Sequence, residues 1–238
     1  MAFTFLRTSI LAVALSALVA GGLAVRAAED GEGSPCTEDA MLVFDASGSM
    51  AGNLNQGIAT IKPRIEEVRS ALARVLPAIT RFRRVGLIVY GPGPYQQCNV
   101  QLALKPAPDA AEFIMQEVNA LTPAGKTPLT AAVEHAADVL DYQQKPGLIV
   151  VLTDGEETCG GSPCDLGKEL HGDAARLTVH VIAFRMKNFS WTGEQSILDA
   201  KCLAEANGGL YVTADAEQDL TDALEKTLGC PMLSRLEK

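Results

Sequence analysis

The chain has 238 residues, 47% of them hydrophobic and 21% charged, with a formal net charge of −9. That usage excludes intrinsic disorder, which needs low hydrophobicity together with high net charge. The excess of acid also makes the chain a poor partner for nucleic acid or an anionic membrane surface, where a basic face is expected.

The first residues have the layout of a secretory signal. Arg7 precedes an apolar run over residues 10–20, small residues follow as far as Ala28, and Val25 and Ala27 fit a cleavage site after Ala27. The apolar stretch over residues 9–25 is 17 residues long, short of the ~20 that a spanning helix needs. Residues 1–27 are therefore expected to be removed as a signal peptide, which places the protein in the periplasm or outside the cell with no membrane span. Loss of Arg7 and Arg26 leaves 18 basic against 29 acidic side chains, a net charge of −11. All 6 cysteines lie beyond this point, and an even number in an oxidising compartment reads as disulfides. Cys36 and Cys230 stand at the two ends and are expected to pair, because the termini of a single domain often lie close together. Cys98, Cys159, Cys164 and Cys202 then allow three connectivities, of which Cys98–Cys159 with Cys164–Cys202 is the expected one.

Residues 28–36 read as a polar linker, residues 37–230 as one folded domain and residues 231–238 as a tail. Residues 41–44 (Met-Leu-Val-Phe) form a buried strand that runs into the turn Asp45-Ala46-Ser47-Gly48-Ser49. Ile58, Ile61, Ile65, Val68, Leu72, Val75 and Ile79 then recur at steps of three and four, the stripe of a helix packed on a core. Pro63 either kinks that helix or marks its start near Arg64. Residues 85–90 make a second buried strand, and Val100, Leu102 and Leu104 alternate as a third. The connection between them is too short for a parallel crossover, which takes about a dozen residues. The third strand is therefore predicted to be antiparallel and at an edge.

Helices are predicted over 110–121 and 129–142. Residues 148–152 (Leu-Ile-Val-Val-Leu) are a central strand that ends in Thr153-Asp154-Gly155-Glu156-Glu157. A helix over 165–176, a strand over 179–184, a helix over 194–206, a strand over 209–213 and a helix over 216–228 complete the chain. This alternation predicts an α/β fold: a doubly wound, mostly parallel sheet of about six strands, one short antiparallel edge strand, and helices on both faces.

In such a sheet, ligands bind beyond the carboxyl ends of the strands, at the point where strand order reverses. The turn after the first strand carries one carboxylate and two hydroxyls spaced two apart, small oxygen groups of the kind that hold a hard divalent cation. Asp45-Ala46-Ser47-Gly48-Ser49 resembles the metal-ion-dependent adhesion site of the von Willebrand factor type A domain. Gly125-Lys126-Thr127-Pro128-Leu129 and Thr153-Asp154-Gly155 match, in order and spacing, the threonine and aspartate loops of that family. The resemblance covers residues 36–230 and is to the secreted bacterial type with a complete site. It implies that Ser47, Ser49 and Thr127 touch Mg2+ (or Mn2+ or Ca2+), with Asp45 and Asp154 acting directly or through water. It also implies adhesion, in which a protein partner presenting Asp or Glu completes the coordination. The ligand chemistry agrees, since neutral hydroxyls leave the cation's charge under-neutralised, unlike the carboxylates of an EF-hand. Glu156, Glu157 and Trp191 are expected on the rim, the acids favouring partners with a basic group beside the coordinating acid.

Competing readings are weaker. Gly125-Lys126-Thr127 matches the end of a phosphate-binding loop, but Ala120 stands in place of its first glycine and no strand precedes it. The spacing of Cys159 and Cys164 permits zinc, yet the exported context favours disulfides. Phosphotransfer on such a sheet wants Asp-x-Asp, and Ser47 occupies the second acid's place. His135, His171 and His180 are poorly placed as bases, which leaves only Glu156 for metal-assisted hydrolysis. The expectation is a binding module rather than an enzyme. The alternatives are a metal-assisted hydrolase at the same site and a scaffold whose metal site is occupied but not adhesive.

Overall fold

A computed structural model describes residues 38–52, 62–94, 96–186 and 191–230, all within the unit Glu32–Lys238. The expected signal segment 1–27, the linker 28–36 with Cys36, and the tail 231–238 lie outside the described residues.

Among the described residues, six strands and six helices follow in the order β1 (Asp39–Asp45), α1 (Arg64–Ile79), β2 (Val85–Tyr90), β3 (Val100–Ala107), α2 (Ala111–Ala120), α3 (Leu129–Leu140), β4 (Pro146–Thr153), α4 (Pro163–Asp173), β5 (Arg176–Phe184), α5 (Trp191–Ala206), β6 (Tyr211–Ala214) and α6 (Glu217–Leu228). A single 3-10 turn, Gly48–Ala51, follows β1. The strands make one sheet in the order β3-β2-β1-β4-β5-β6. Every pairing is parallel except β2 with β3, as the short connection between those two requires.

β1 is covered on both faces, and its two-residue period splits the core into two layers. Ala40, Leu42 and Phe44 pack with residues of α1, α2 and α6, while Met41 and Val43 pack with residues of α3, α4 and α5. β1 and β4 lie side by side at the centre, with Phe44 opposite Leu152. From β1 the sheet grows outward through β2 on one side and through β4 on the other. The carboxyl ends of β1 and β4 therefore flank the point where strand order reverses, the usual crevice of an open α/β sheet.

Of the two readings of Pro63, the helix start near Arg64 is the one observed, as a residue with fixed φ and no N–H to donate suits a helix entry. Two other boundaries move. Arg176, expected at the end of a helix, opens β5, because α4 stops at Asp173 and residues from Arg176 onward alternate between exposed and buried. α5 begins at Trp191, three residues before Glu194.

Among the described residues, two disulfides join loops and helices. Cys98–Cys159 ties the β2–β3 connection to the loop after β4, and Cys164–Cys202 ties α4 to α5, with Cα atoms 6.0 and 5.0 Å apart. Cys230 is buried just after α6, and its expected partner Cys36 lies outside the described residues. Among the described residues, no helix is long and apolar enough to cross a membrane.

Candidate metal centre

Asp45 is the last residue of β1 and is fully buried. Its carboxylate holds two strand ends together. Oδ1 accepts the Ser47 N–H at 2.8 Å, which curls the turn back on itself. Oδ2 accepts the Thr153 hydroxyl at 2.8 Å and lies 3.4 Å from the Asp154 N–H. Asp45 is thus an organiser of both loops.

The turn it shapes aims hydroxyls at Asp154. Ser47 Oγ and Ser49 Oγ are 2.9 Å apart, and Ser49 Oγ donates to Asp154 Oδ1 at 2.6 Å. Ser47 is buried, whereas Ser49 is exposed, so the cluster opens to solvent on the Ser49 side. The second oxygen, Asp154 Oδ2, accepts from Arg64 Nη1 at 2.6 Å.

Thr127 arrives from a third loop that is laced to the other two by main-chain bonds. Gly48 N–H donates to Gly125 O at 3.0 Å, Gly125 N–H to Gly91 O at 2.8 Å and Lys126 N–H to Gln97 O at 2.9 Å. Thr127 exchanges bonds with Thr158: its N–H donates to Thr158 Oγ1 at 2.8 Å, and its carbonyl accepts the Thr158 N–H at 3.0 Å. A Cβ on Gly155 would lie 3.5 Å from Ser49 Oγ and 3.7 Å from Thr127 Oγ1. The hydroxyls of Ser49 and Thr127 therefore face a common space over Gly155.

Glycine at position 91 is what lets these loops close. Its φ is +73°, and a Cβ there would stand 2.7 Å from Ser47 Cα and 2.8 Å from Lys126 O. No other residue fits that space without moving either the serine turn or the threonine loop.

Burial shapes the electrostatics. The Asp45 carboxyl is pushed above its ordinary value, first by desolvation, against hydrogen bonds from Ser47 and Thr153. Asp154 is raised to about 6, first by desolvation and then by the Asp45 charge, with Ser49 and Arg64 pulling the other way. The buried Tyr90 phenol beneath the site is pushed well above its ordinary value by burial and by Asp45. Asp154 has the Arg64 guanidinium beside it, whereas Asp45 is held by neutral donors from Ser47 and Thr153. Among the described residues, no group of three or more His, Cys, Asp or Glu is placed to hold a metal. The further side-chain oxygens near these carboxylates are the hydroxyls of Ser47 and Ser49.

The expected rim residues divide. Glu156 lies half-buried in the loop after Asp154. Glu157 departs from the role of a free rim charge: Oε2 accepts the Thr130 N–H at 2.8 Å and Oε1 the Cys159 N–H at 2.7 Å. It anchors the start of α3 to the loop after β4. Trp191 opens α5, and its side chain lies outside those described. The sequence reading passed over Arg64, Thr153, Thr158 and Tyr90. Thr153 had a signal, being adjacent to Asp154. The other three become visible only once distant segments meet.

Comparisons with known proteins place this arrangement. The profile of the von Willebrand factor type A domain matches residues 40–157. The uncharacterized protein YwmC of Bacillus subtilis is 32% identical over 192 residues, which cover 75% of this chain and 78% of that protein. The vWF domain of the type V pili tip protein Mfa5 from Porphyromonas gingivalis superposes with a TM-score of 0.57 at 13% identity, over 85% of this chain and 96% of that one. An aerotolerance-related membrane protein from Bacteroides fragilis gives a TM-score of 0.54 at 18% identity, over 80% and 98%. With this sheet order, these loops and these relatives, the chain belongs to the von Willebrand factor type A domain family.

Proposed function

We propose that this protein is an exported, non-enzymatic binding module that captures an Asp or Glu side chain of a protein partner through a divalent cation. Ser47, Ser49 and Thr127 would contact Mg2+, or else Mn2+ or Ca2+, with Asp45 and Asp154 acting directly or through water. The observation that carries this reading is the run of oxygens Ser47 Oγ, Ser49 Oγ and Asp154 Oδ1, with successive separations of 2.9 and 2.6 Å. An octahedron with metal–oxygen distances of about 2.1 Å has edges of about 3 Å, so a hard cation fits these spacings. When bound, the cation would act as a Lewis acid toward an outside carboxylate. The chain's own residues do the rest: Asp45 fixes the turn, Thr153 fixes Asp45, and the exposed Ser49 edge leaves room for the partner.

Domains of this family commonly serve protein–protein interaction, and the pili tip domain among the structural neighbours supports a role in surface attachment. The disulfides Cys98–Cys159 and Cys164–Cys202 support an oxidising location, periplasmic or extracellular. The test is binding of Asp- and Glu-containing peptides, measured by biolayer interferometry in MgCl2 and in EDTA. Binding should vanish in EDTA and in Asp45→Ala, and peptides with the acid replaced by its amide should fail to bind wild type even in MgCl2. Equal binding with and without the metal would refute the reading.

A further inference from the structure

The Asp154 carboxylate already has a cation beside it. Arg64 Nη1 stands 2.6 Å from Asp154 Oδ2, while Oδ1 of the same group accepts from Ser49 within the candidate ligand set. The Asp154 side chain has no exposure and that of Arg64 retains 28%, so the guanidinium sits at the open edge of the site. Arg64 is also in an unfavourable place for a positive charge. It is the first residue of α1, directly after Pro63, where the helix dipole repels cations. The acids of that first turn do not compensate it, since Glu66 pairs with Arg69 and Glu67 with Arg185. What holds Arg64 there is Asp154.

We infer that Arg64 is an internal counter-cation of the metal centre, competing with the divalent ion for Asp154 and leaving the loaded site short of one negative charge. This rests on the metal reading above and deepens it. Counting only the two carboxylates and the guanidinium, the site carries −1 before a divalent ion binds and +1 afterwards. One outside carboxylate brings it to neutrality. Without Arg64 the loaded site would already be neutral and would have less need of an acid. Arg64 is thus a positioning and specificity residue: it weakens the hold on the metal and strengthens the demand for an acidic partner.

The experiment is a titration of the oxidised protein with MnCl2, free Mn2+ being counted by electron paramagnetic resonance, in wild type, Arg64→Gln and Arg64→Lys. A peptide carrying one Glu is then titrated at saturating Mn2+. Arg64→Gln should bind Mn2+ about tenfold more tightly, since a unit charge a few ångströms away is removed, and should bind the peptide more weakly. Arg64→Lys, which keeps the charge, should stay near wild type in both. Uptake of Mn2+ by Arg64→Gln alone would also support the inference. Wild type that binds Mn2+ while Arg64→Gln binds it no better would overturn the inference and leave the metal reading standing. Tighter binding by Arg64→Lys as well would make shape, not charge, the cause and would overturn it too. If neither wild type nor Arg64→Gln takes up Mn2+, the metal reading itself falls and this inference with it.

Discussion

The buried Asp154 makes the stability of the metal-free protein depend on pH in an unusual direction. Its pKa rises from 3.8 to about 6, mainly through desolvation and secondarily through Asp45. With no exposure of the side chain, solvent screening removes little of this effect, and it amounts to about 3 kcal/mol. Because the folded value lies above the unfolded one, the stability it contributes is fully present below pH 3.8 and is lost as pH rises through about 6. Asp45 is shifted in the same direction and adds to the loss. For a domain of this size, about 1 kcal/mol moves the melting temperature by roughly 2–4 °C, so the expected fall is about 6–12 °C. Differential scanning calorimetry in EDTA between pH 4 and pH 7.5 measures it. Asp154→Asn removes the titrating group and provides the background from every other carboxylate. The variant should lose less stability than wild type over that range, and saturating Mg2+ should restore wild type at pH 7.5 but not at pH 4. Identical pH slopes in wild type and Asp154→Asn would refute the reasoning.

Other substitutions test the scaffold around the site. Gly91→Ala forces a side chain into positive φ and against Ser47. It should cost about 2–5 kcal/mol in urea denaturation, from strain of ~1–2 and overpacking of ~1–3 kcal/mol. Gly160→Ala, at φ +89° with nothing within 4 Å, should lose only about 1–2 kcal/mol; equal losses would mean that the contact with Ser47 is not tight. Glu157→Ala strips acceptors from two backbone N–H groups and should lower stability by about 2–3 kcal/mol, with a thermal melt as the check. Replacing Cys98 and Cys159 together by serine releases a crosslink spanning 61 residues. It should cost up to about 4 kcal/mol and weaken Mn2+ binding measured by the same resonance signal. Unchanged metal affinity would mean that the crosslink does not brace the site.

The central strands were legible because they are buried on both faces. Met41 to Phe44 and Leu148 to Leu152 are unbroken apolar runs, which a half-exposed strand cannot be. The antiparallel edge strand followed from chain length alone, since so short a connection leaves no other geometry. The start of β5 was not legible. Arg176, Leu177 and Thr178 alternate over too few residues to separate a strand from the end of a helix, and only pairing with Pro146, Gly147 and Leu148 of β4 decides it. At the site, Asp45, Ser47 and Ser49 could be read because one turn carries them all. Thr127 and Asp154 could be read because their loops keep family order. Arg64 could not, since its partner is 90 residues away and nothing in its neighbourhood points there. Glu157 reads from the sequence as a rim charge, because a sequence does not reveal that two backbone N–H groups converge on it.

The most direct trial is a crystal grown with MnCl2, with diffraction collected at the manganese absorption edge. One anomalous peak should lie among the Ser47, Ser49 and Thr127 hydroxyls, with at least one coordination position filled by water or by an acid from outside the chain. Asp45→Ala crystals should lack it. A peak elsewhere, or a manganese whose positions are all closed by this chain's own oxygens, would contradict the proposed role in capturing a partner.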